Sequence, residues 1–291
     1  MLNRNGQRSL FLWFESCVFH PPNRRSFDWQ IMRLSNILVA LTELSIVVTG
    51  TTVWIERFSV NARTEAGDRI SFKIDPMTDI TSINSEDTGS IFAIPGGISW
   101  VDENVVVAED SVLGMGPGSA FMTAHQVVTL NPTKGKMIVG PYDASGDCRE
   151  GRMSFADQRG STWLIPLELD GSPIENASGE FQLGYYNDVF VTPQGFSREF
   201  NRLYGRRAES FRDEGREYSR EDAIADSPVI HMSFEAFEME LMPEDYLLGN
   251  SHTTFFSSRS RDYPILPTSI LNRMVVQLDR TNNRLGICTP H

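Results

Sequence analysis

The chain has very little lysine and an excess of acidic side chains. Its 291 residues contain 26 basic and 38 acidic side chains, and the formal net charge is -12. The only lysines are Lys73, Lys134 and Lys136. Proteins that bind nucleic acids present basic surfaces that neutralise phosphates. We therefore expect no nucleic-acid partner.

Long apolar segments are also missing. The longest run, 37–48, is interrupted by Thr42, Glu43 and Ser45, whereas a membrane-spanning helix needs about 20 apolar residues. We therefore expect no membrane span. The apolar patch 10–14 is shorter than the core of a signal peptide. This indicates either a protein that is not secreted or a native start upstream of Met1.

Metal-binding patterns are absent from the sequence. No Cys-x-x-Cys pair occurs, and the five histidines are scattered, so we expect neither a metal site nor a cofactor. The three cysteines leave at least one thiol without an intramolecular partner. The sequence leaves open whether Cys148 and Cys288 pair, in which case Cys17 is the remaining thiol.

Short apolar runs bounded by Gly, Pro, Asn and Asp dominate what is present, and they predict a β-rich protein. The runs are 44–48, 70–74, 91–94, 105–107, 163–169 and 275–278. The main helical pattern spans 197–222, and its charged tail, 206–222, predicts a solvated helix end or a surface loop. Glycine and proline cluster in 131–152, which predicts a boundary between an N-terminal lobe, 1–150, and a C-terminal lobe, 151–291.

The end of the chain carries a specific motif. Residues 265–287 read Ile-Leu-Pro-Thr-Ser-Ile-Leu-Asn-Arg-Met-Val-Val-Gln-Leu-Asp-Arg-Thr-Asn-Asn-Arg-Leu-Gly-Ile. This resembles the closing segment of the pepsin-like aspartic peptidases, in which a strand turns through Asp-Arg-x-Asn-Asn-Arg-hydrophobic-Gly. We expect a closing strand within 265–289.

Further segments resemble the same family in the order in which that family has them. Residues 9–17 are similar to the strand after the first catalytic loop, and 42–48 to the strand entering the flap. Residues 112–119 resemble the Ile-Leu-Gly-Leu-Gly turn that supports the first active-site loop. Residues 151–155 and 163–167 resemble early strands of the second lobe.

The resemblance implies an all-β, bilobal fold with a few short helices and a cleft between two β-rich lobes. It also implies an extended peptide or protein in that cleft, a monomeric state, and a secretory or acidic compartment. The activity that it implies is that of an aspartic endopeptidase, a hydrolase without a cofactor.

The catalytic residues of that family are not matched. Two aspartates must share one proton, so that one acts as acid and the other as base. The family's spacing places the first aspartate at Gly6, the second at Gly184 and the flap tyrosine at Val48. Pro267 replaces the glycine of Ile-Leu-Gly. The sequence therefore predicts a catalytically degenerate, peptide-binding member.

Two aspartates are weak alternatives for catalysis. Asp87 begins a literal Asp-Thr-Gly-Ser, but the polar pair Ser85-Glu86 precedes it in place of an apolar strand. Asp188 lies four residues beyond the expected second position. A turn and a surface position, respectively, are the simpler interpretations. Two further hypotheses stay open: an active acid endopeptidase whose first aspartate precedes Met1, and a β-rich binding or inhibitor protein unrelated to peptidases.

Overall fold

The computed structural model describes residues 50–84, 89–158, 160–171, 174–185, 190–213, 219–247 and 263–291. These residues belong to one compact unit, 48–291. Short strands dominate it, as the short apolar runs predict. The proposed lobe boundary near residue 150 stays a prediction.

Eighteen strands lie in the described residues, numbered here in chain order. The first nine are β1 (Thr51–Trp54), β2 (Ser59–Thr64), β3 (Arg69–Asp75), β4 (Ser82–Ile83), β5 (Ile91–Ile94), β6 (Ile98–Val101), β7 (Val106–Val107), β8 (Val112–Gly114) and β9 (Val127–Asn131). The other nine are β10 (Lys136–Val139), β11 (Ser154–Asp157), β12 (Leu164–Gly171), β13 (Ile174–Gly184), β14 (Ile230–Phe234), β15 (Phe237–Leu241), β16 (Ile265–Pro267), β17 (Val275–Asp279) and β18 (Arg284–Cys288).

The helices are few, and most of them are short. They are α1 (Ala120–His125), α2 (Gln194–Asp213), α3 (Arg220–Asp226), α4 (Pro243–Tyr246) and α5 (Thr268–Leu271). Within the described part of the chain, no helix has the length and apolar character needed to cross a bilayer.

The helical pattern predicted over 197–222 corresponds to two helices, α2 and α3. The charged tail is helical as far as Asp213, in agreement with the helix-end alternative for that part. A capping box then starts α3: the Asp222 N–H donates to the Ser219 hydroxyl at 3.1 Å, and the Ser219 N–H donates to the Asp222 carboxylate at 2.9 Å.

A six-stranded antiparallel sheet combines strands from early and late parts of the chain, in the order β1-β10-β9-β17-β18-β11. The closing hairpin β17–β18 lies between β9 and β11. Its side chains, such as Val276, Leu278 and Leu285, are fully buried. The hairpin turn is fixed by Asp279, whose buried carboxylate accepts from the Asn282 N–H at 3.0 Å and from the Arg284 guanidinium at 2.8 Å.

Two further sheets are each formed from a single region of the chain. Residues 59–114 form a seven-stranded sheet in the order β6-β5-β2-β3-β8-β4-β7, and residues 164–267 form a five-stranded sheet in the order β15-β14-β12-β13-β16. Burial alternates along β3 and β12, so that Phe72, Ile74, Ile165 and Leu167 face the core.

A disulfide between Cys148 and Cys288 connects the segment before β11 to the last strand, with the two Cα atoms 5.6 Å apart. Both cysteines are buried. This resolves the pairing that the sequence leaves open.

Candidate functional site

Two strand ends have the same topology. In the seven-stranded sheet, β3 runs parallel to β8, and the pairing ends with Asp75 opposite Gly114. In the five-stranded sheet, β13 runs parallel to β16, and the pairing ends with Gly184 opposite Pro267. Most other pairs in these two sheets are antiparallel; β4 and β7, of two residues each, form a further parallel pair.

The loop after β3, residues 75–80, rests on the glycine-rich turn 114–118. The Met115 N–H donates to the Asp75 carbonyl oxygen at 2.9 Å, and the Gly116 N–H donates to the Thr78 carbonyl oxygen at 2.8 Å. The Gly118 N–H donates to the Asp79 carboxylate at 2.8 Å.

Glycine is required in this turn because backbone and side-chain atoms of the loop after β3 lie close to it. A Cβ atom at Gly114 would lie 2.6 Å from the Ile80 carbonyl oxygen, and one at Gly118 would lie 2.6 Å from an Asp79 carboxylate oxygen. The turn predicted to support the first active-site loop therefore supports the loop that begins at Asp75.

Asp75 is a half-buried carboxyl group at the end of its strand. Burial raises its pKa above the usual range, and the Met77 N–H opposes part of that shift by donating to the carboxylate at 2.9 Å. A carboxyl group with a raised pKa can exchange a proton at moderately acidic pH, as a general acid or base must.

The corresponding strand end in the other sheet has no carboxylate. Gly184 ends β13, and Tyr185 follows it. The Thr268 hydroxyl donates to the Tyr185 carbonyl oxygen at 2.8 Å, which attaches this strand end to the start of α5.

Phe58 connects the two strand ends. The Ile74 N–H, next to Asp75, donates to the Phe58 carbonyl oxygen at 2.8 Å. The Phe58 ring packs edge-on against the Tyr185 ring, with 4.1 Å between centroids. Phe58 has a φ of 56°, a conformation that is strained for an aromatic residue and that the surrounding packing must maintain. The neighbours of Asp75 and Gly184 thus share one packed region.

A second connection joins the glycine turn to the start of β12. The buried Trp163 indole N–H donates to the Met115 carbonyl oxygen at 2.7 Å. The Tyr185 hydroxyl is buried and has no hydrogen-bond partner among the described residues. This region is therefore held mainly by aromatic packing and backbone hydrogen bonds.

A groove of about 600 Å³ opens beside Asp75. One wall is the loop after β3, including Thr78 and the half-exposed Ile80. The other wall is the chain from the end of β7 to the start of β8, including Glu109 and Val112. The groove is thus partly apolar and partly acidic.

Most of the site residues predicted from the sequence lie outside the described residues. These are Gly6 and Val48, which precede residue 50, together with Asp87 and Asp188. The structure describes Gly184 and Pro267, and brings them together as partners in the parallel pair β13–β16.

Asp75 is a candidate site residue that the sequence motifs do not single out. Its signal is the alternating strand Phe72-Lys73-Ile74 followed by an aspartate, upstream of the glycine turn. The signal was weak because Pro76 and Met77 follow the aspartate where the family motif has threonine and glycine.

Comparisons with known proteins support the fold. No protein-family model matches the chain, and no curated protein matches it in sequence. Among solved structures, an aspartic proteinase from Irpex lacteus matches with a TM-score of 0.55 and 13% identity, over 83% of this chain and 96% of that chain. At such low identity the likeness shows the fold alone. The β-rich, pepsin-like fold predicted from the sequence is confirmed.

Proposed function

We propose that this protein binds extended peptides in the cleft of a pepsin-like fold and does not hydrolyse them. One observation carries the proposal: of two matching strand ends, one has a carboxylate, Asp75, and the other has none, Gly184. In this account Asp75, rather than Gly6, occupies the first catalytic position.

Two observations support the assignment of Asp75. It ends a strand that is parallel to β8, as Gly184 ends a strand that is parallel to β16. It also begins the loop that the turn 114–118 contacts, and the resemblance gives that turn the role of supporting the first active-site loop.

The chemistry of the family requires a second carboxylate. Peptide hydrolysis by this mechanism needs one carboxylate to take a proton from water while a partner donates a proton to the substrate. Two carboxylates that face each other share one proton because they cannot both ionise. Gly184 offers no ionisable group, so Asp75 has no proton-sharing partner at the matching strand end.

The residues around Asp75 also depart from the catalytic loop of the family. Pro76 follows Asp75 and has neither an N–H nor a hydroxyl group with which to hold a carboxylate. Near Gly184, Tyr185 packs its ring against Phe58. Pro76 and Tyr185 therefore favour packing contacts over groups that could position a water molecule.

Peptide binding does not require the second carboxylate that is absent at Gly184. A cleft between β-rich lobes can hold an extended chain through main-chain hydrogen bonds and pockets for alternate side chains. We therefore propose an extended peptide or protein as the partner and a monomer as the binding form.

The experiment has two parts. Purified protein is incubated with an unfolded protein substrate between pH 3 and pH 6, and products are separated by mass. We expect no cleavage, and a pepstatin-sensitive product that disappears in Asp75→Asn would overturn the proposal. Binding of randomised decapeptides to immobilised protein is measured in parallel, and we expect retention.

One observation favours a second candidate, an active acid endopeptidase. Asp75 supplies the first carboxylate that such an enzyme needs, and its raised pKa suits acid chemistry. The second carboxylate would then come from Asp188 or Asp87. Under this hypothesis, acid-pH cleavage is observed and is lost in Asp188→Asn or in Asp87→Asn. Cleavage that survives in both variants would discard it.

A further inference from the structure

We propose that the groove beside Asp75 receives a basic side chain, lysine or arginine, from the bound peptide. This inference rests on the proposed peptide-binding function. It assigns to Asp75 the role of a counter-ion in recognition.

The groove is large enough to admit a long side chain, and it lies between two separate segments of the chain. Its volume of about 600 Å³ lies within the range of about 300–1,000 Å³ found for ligand pockets. Asp75 lies on the loop wall and Glu109 on the facing wall. A side chain that enters between these walls meets carboxylates from two separate segments of the chain.

The charges of the groove are unbalanced. Asp110 also lines it, but Lys73 neutralises this carboxylate with a 3.0 Å ion pair. In the described part of the chain, no basic side chain forms an ion pair with Asp75 or Glu109. The groove therefore offers two acidic groups without a cation, which favours a positively charged occupant.

The apolar wall distinguishes a lysine or arginine side chain from a small cation. Ile80 is 53% exposed and lines the groove together with Val112. Lysine and arginine carry aliphatic stems that pack on apolar surface while the charged end reaches an acidic group. The apolar wall therefore suits the aliphatic stem, and Asp75 and Glu109 suit the charged end.

Exposed apolar residues next to the groove also indicate a partner. Val106 and Val107 form the edge strand β7, immediately before the groove residues Ala108 and Glu109, and they are 48% and 57% exposed. Apolar side chains that are exposed together beside a groove indicate a surface that a partner covers. An extended peptide whose basic residue occupies the groove would lie next to this strand.

The test uses two mixtures of N-acetylated, C-amidated decapeptides, randomised without Lys and Arg except at one central position. That position is lysine in one mixture and norleucine in the other, so that the two differ in charge with a similar stem. Each mixture is passed over immobilised full-length protein at pH 7 and about 0.15 M salt, where screening limits non-specific attraction. Retained peptides are quantified by mass spectrometry.

We expect the lysine mixture to be retained about tenfold more strongly than the norleucine mixture, as for one charge-assisted contact. Asp75→Asn should remove most of this preference, and Glu109→Gln should reduce it. Asp68→Asn, an exposed turn residue that does not line the groove, should preserve it. At pH 4 the preference should fall, because burial raises the pKa of Asp75.

The outcomes separate this inference from the proposed function. Equal retention of both mixtures, or an unchanged preference in Asp75→Asn, overturns the basic-side-chain inference and leaves peptide binding standing. Retention of neither mixture overturns peptide binding itself. Cleavage of the peptides overturns the non-catalytic part of the proposed function.

Discussion

Asp75 and Gly184 occupy matching positions at the ends of two parallel strand pairs. Asp75 lies opposite Gly114, and Gly184 lies opposite Pro267. Phe58 contacts the neighbours of both, through the Ile74 N–H on one side and the Tyr185 ring on the other. The two strand ends thus share a backbone arrangement and differ in the side chain that they carry. Asp75 has a carboxylate, and Gly184 has only a hydrogen atom.

Introducing a carboxylate at the second strand end should create repulsion with Asp75. Two carboxyl groups that face each other raise each other's pKa. Gly184→Asp should therefore be more stable at low pH, where the carboxyl groups are protonated, and should lose stability as pH rises. We expect Gly184→Asp to be about 1–3 kcal/mol less stable, relative to Gly184→Asn, at pH 7 than at pH 3.5. Urea denaturation at both pH values measures this. Equal behaviour of the two variants at both pH values would show that position 184 does not face Asp75.

The ionisation of Asp75 should oppose folding. Burial raises its folded-state pKa, so its favourable contribution is present below the unfolded pKa of about 4 and is lost as pH rises through the folded value. Asparagine does not ionise. Asp75→Asn should therefore gain stability relative to wild type as pH rises from about 4 to 7, measured by thermal unfolding. A difference between the two proteins that is independent of pH would contradict this.

The glycine turn should not accept a side chain at Gly114. A Cβ atom there would lie within 2.9 Å of three backbone atoms of Ile80, which cannot move without displacing the loop after Asp75. We expect Gly114→Ala to lose about 1–3 kcal/mol of unfolding free energy in urea. Gly195→Ala is the matched control, because that position has open space within α2. A variant at Gly114 as stable as this control would contradict the close approach.

The disulfide should contribute strongly to stability. Cys148 and Cys288 are 140 residues apart in sequence, and cross-links that close long loops restrict the unfolded chain. We expect the double variant Cys148→Ser/Cys288→Ser to lose about 2–5 kcal/mol in chemical denaturation. Dithiothreitol should destabilise the wild type to a similar extent and leave the double variant unchanged. Wild-type stability that is insensitive to reduction would indicate that the bond does not form.

The hairpin turn offers a test of the closing motif. Asp279 is 3% exposed, and its carboxylate accepts from the Asn282 backbone and side chain and from Arg284. Asp279→Ala leaves these donors without their acceptor, so we expect a loss of about 2–4 kcal/mol of unfolding free energy. Asp279→Asn keeps one acceptor oxygen and should lose less. Equal stability of the alanine variant and the wild type would rule out this role.

The parts of the fold that could be predicted are those encoded in contiguous residues. The closing hairpin follows from Asp279 to Gly286, because its turn is held by side chains within that segment. The turn 114–118 follows from three glycines spaced two apart. The strands around Phe72 and Ile165 follow from apolar alternation and turn residues.

The candidate site depends on pairings that are distant in sequence. Asp75 lies 39 residues before Gly114, and the parallel pairing that brings them together leaves no local pattern. Pro76 and Met77 follow Asp75 in place of the threonine and glycine of the family motif, and the spacing from the segment 9–17 indicates Gly6 instead. The helix α2 extends through the charged stretch up to Asp213, where composition alone leaves a helix end and a loop both open.

We propose that Asp75 has no carboxylate partner, because Gly184 occupies the matching strand end. The most direct test is a titration of the Asp75 carboxyl carbon by NMR, with ¹³C-labelled aspartate and Asp75→Asn for assignment. A lone carboxyl group titrates in a single step, displaced upward in pH by burial, whereas a proton-sharing pair titrates in two coupled steps. We expect the single step. Two steps that merge into one in Asp188→Asn or Asp87→Asn would establish a catalytic pair and contradict the account.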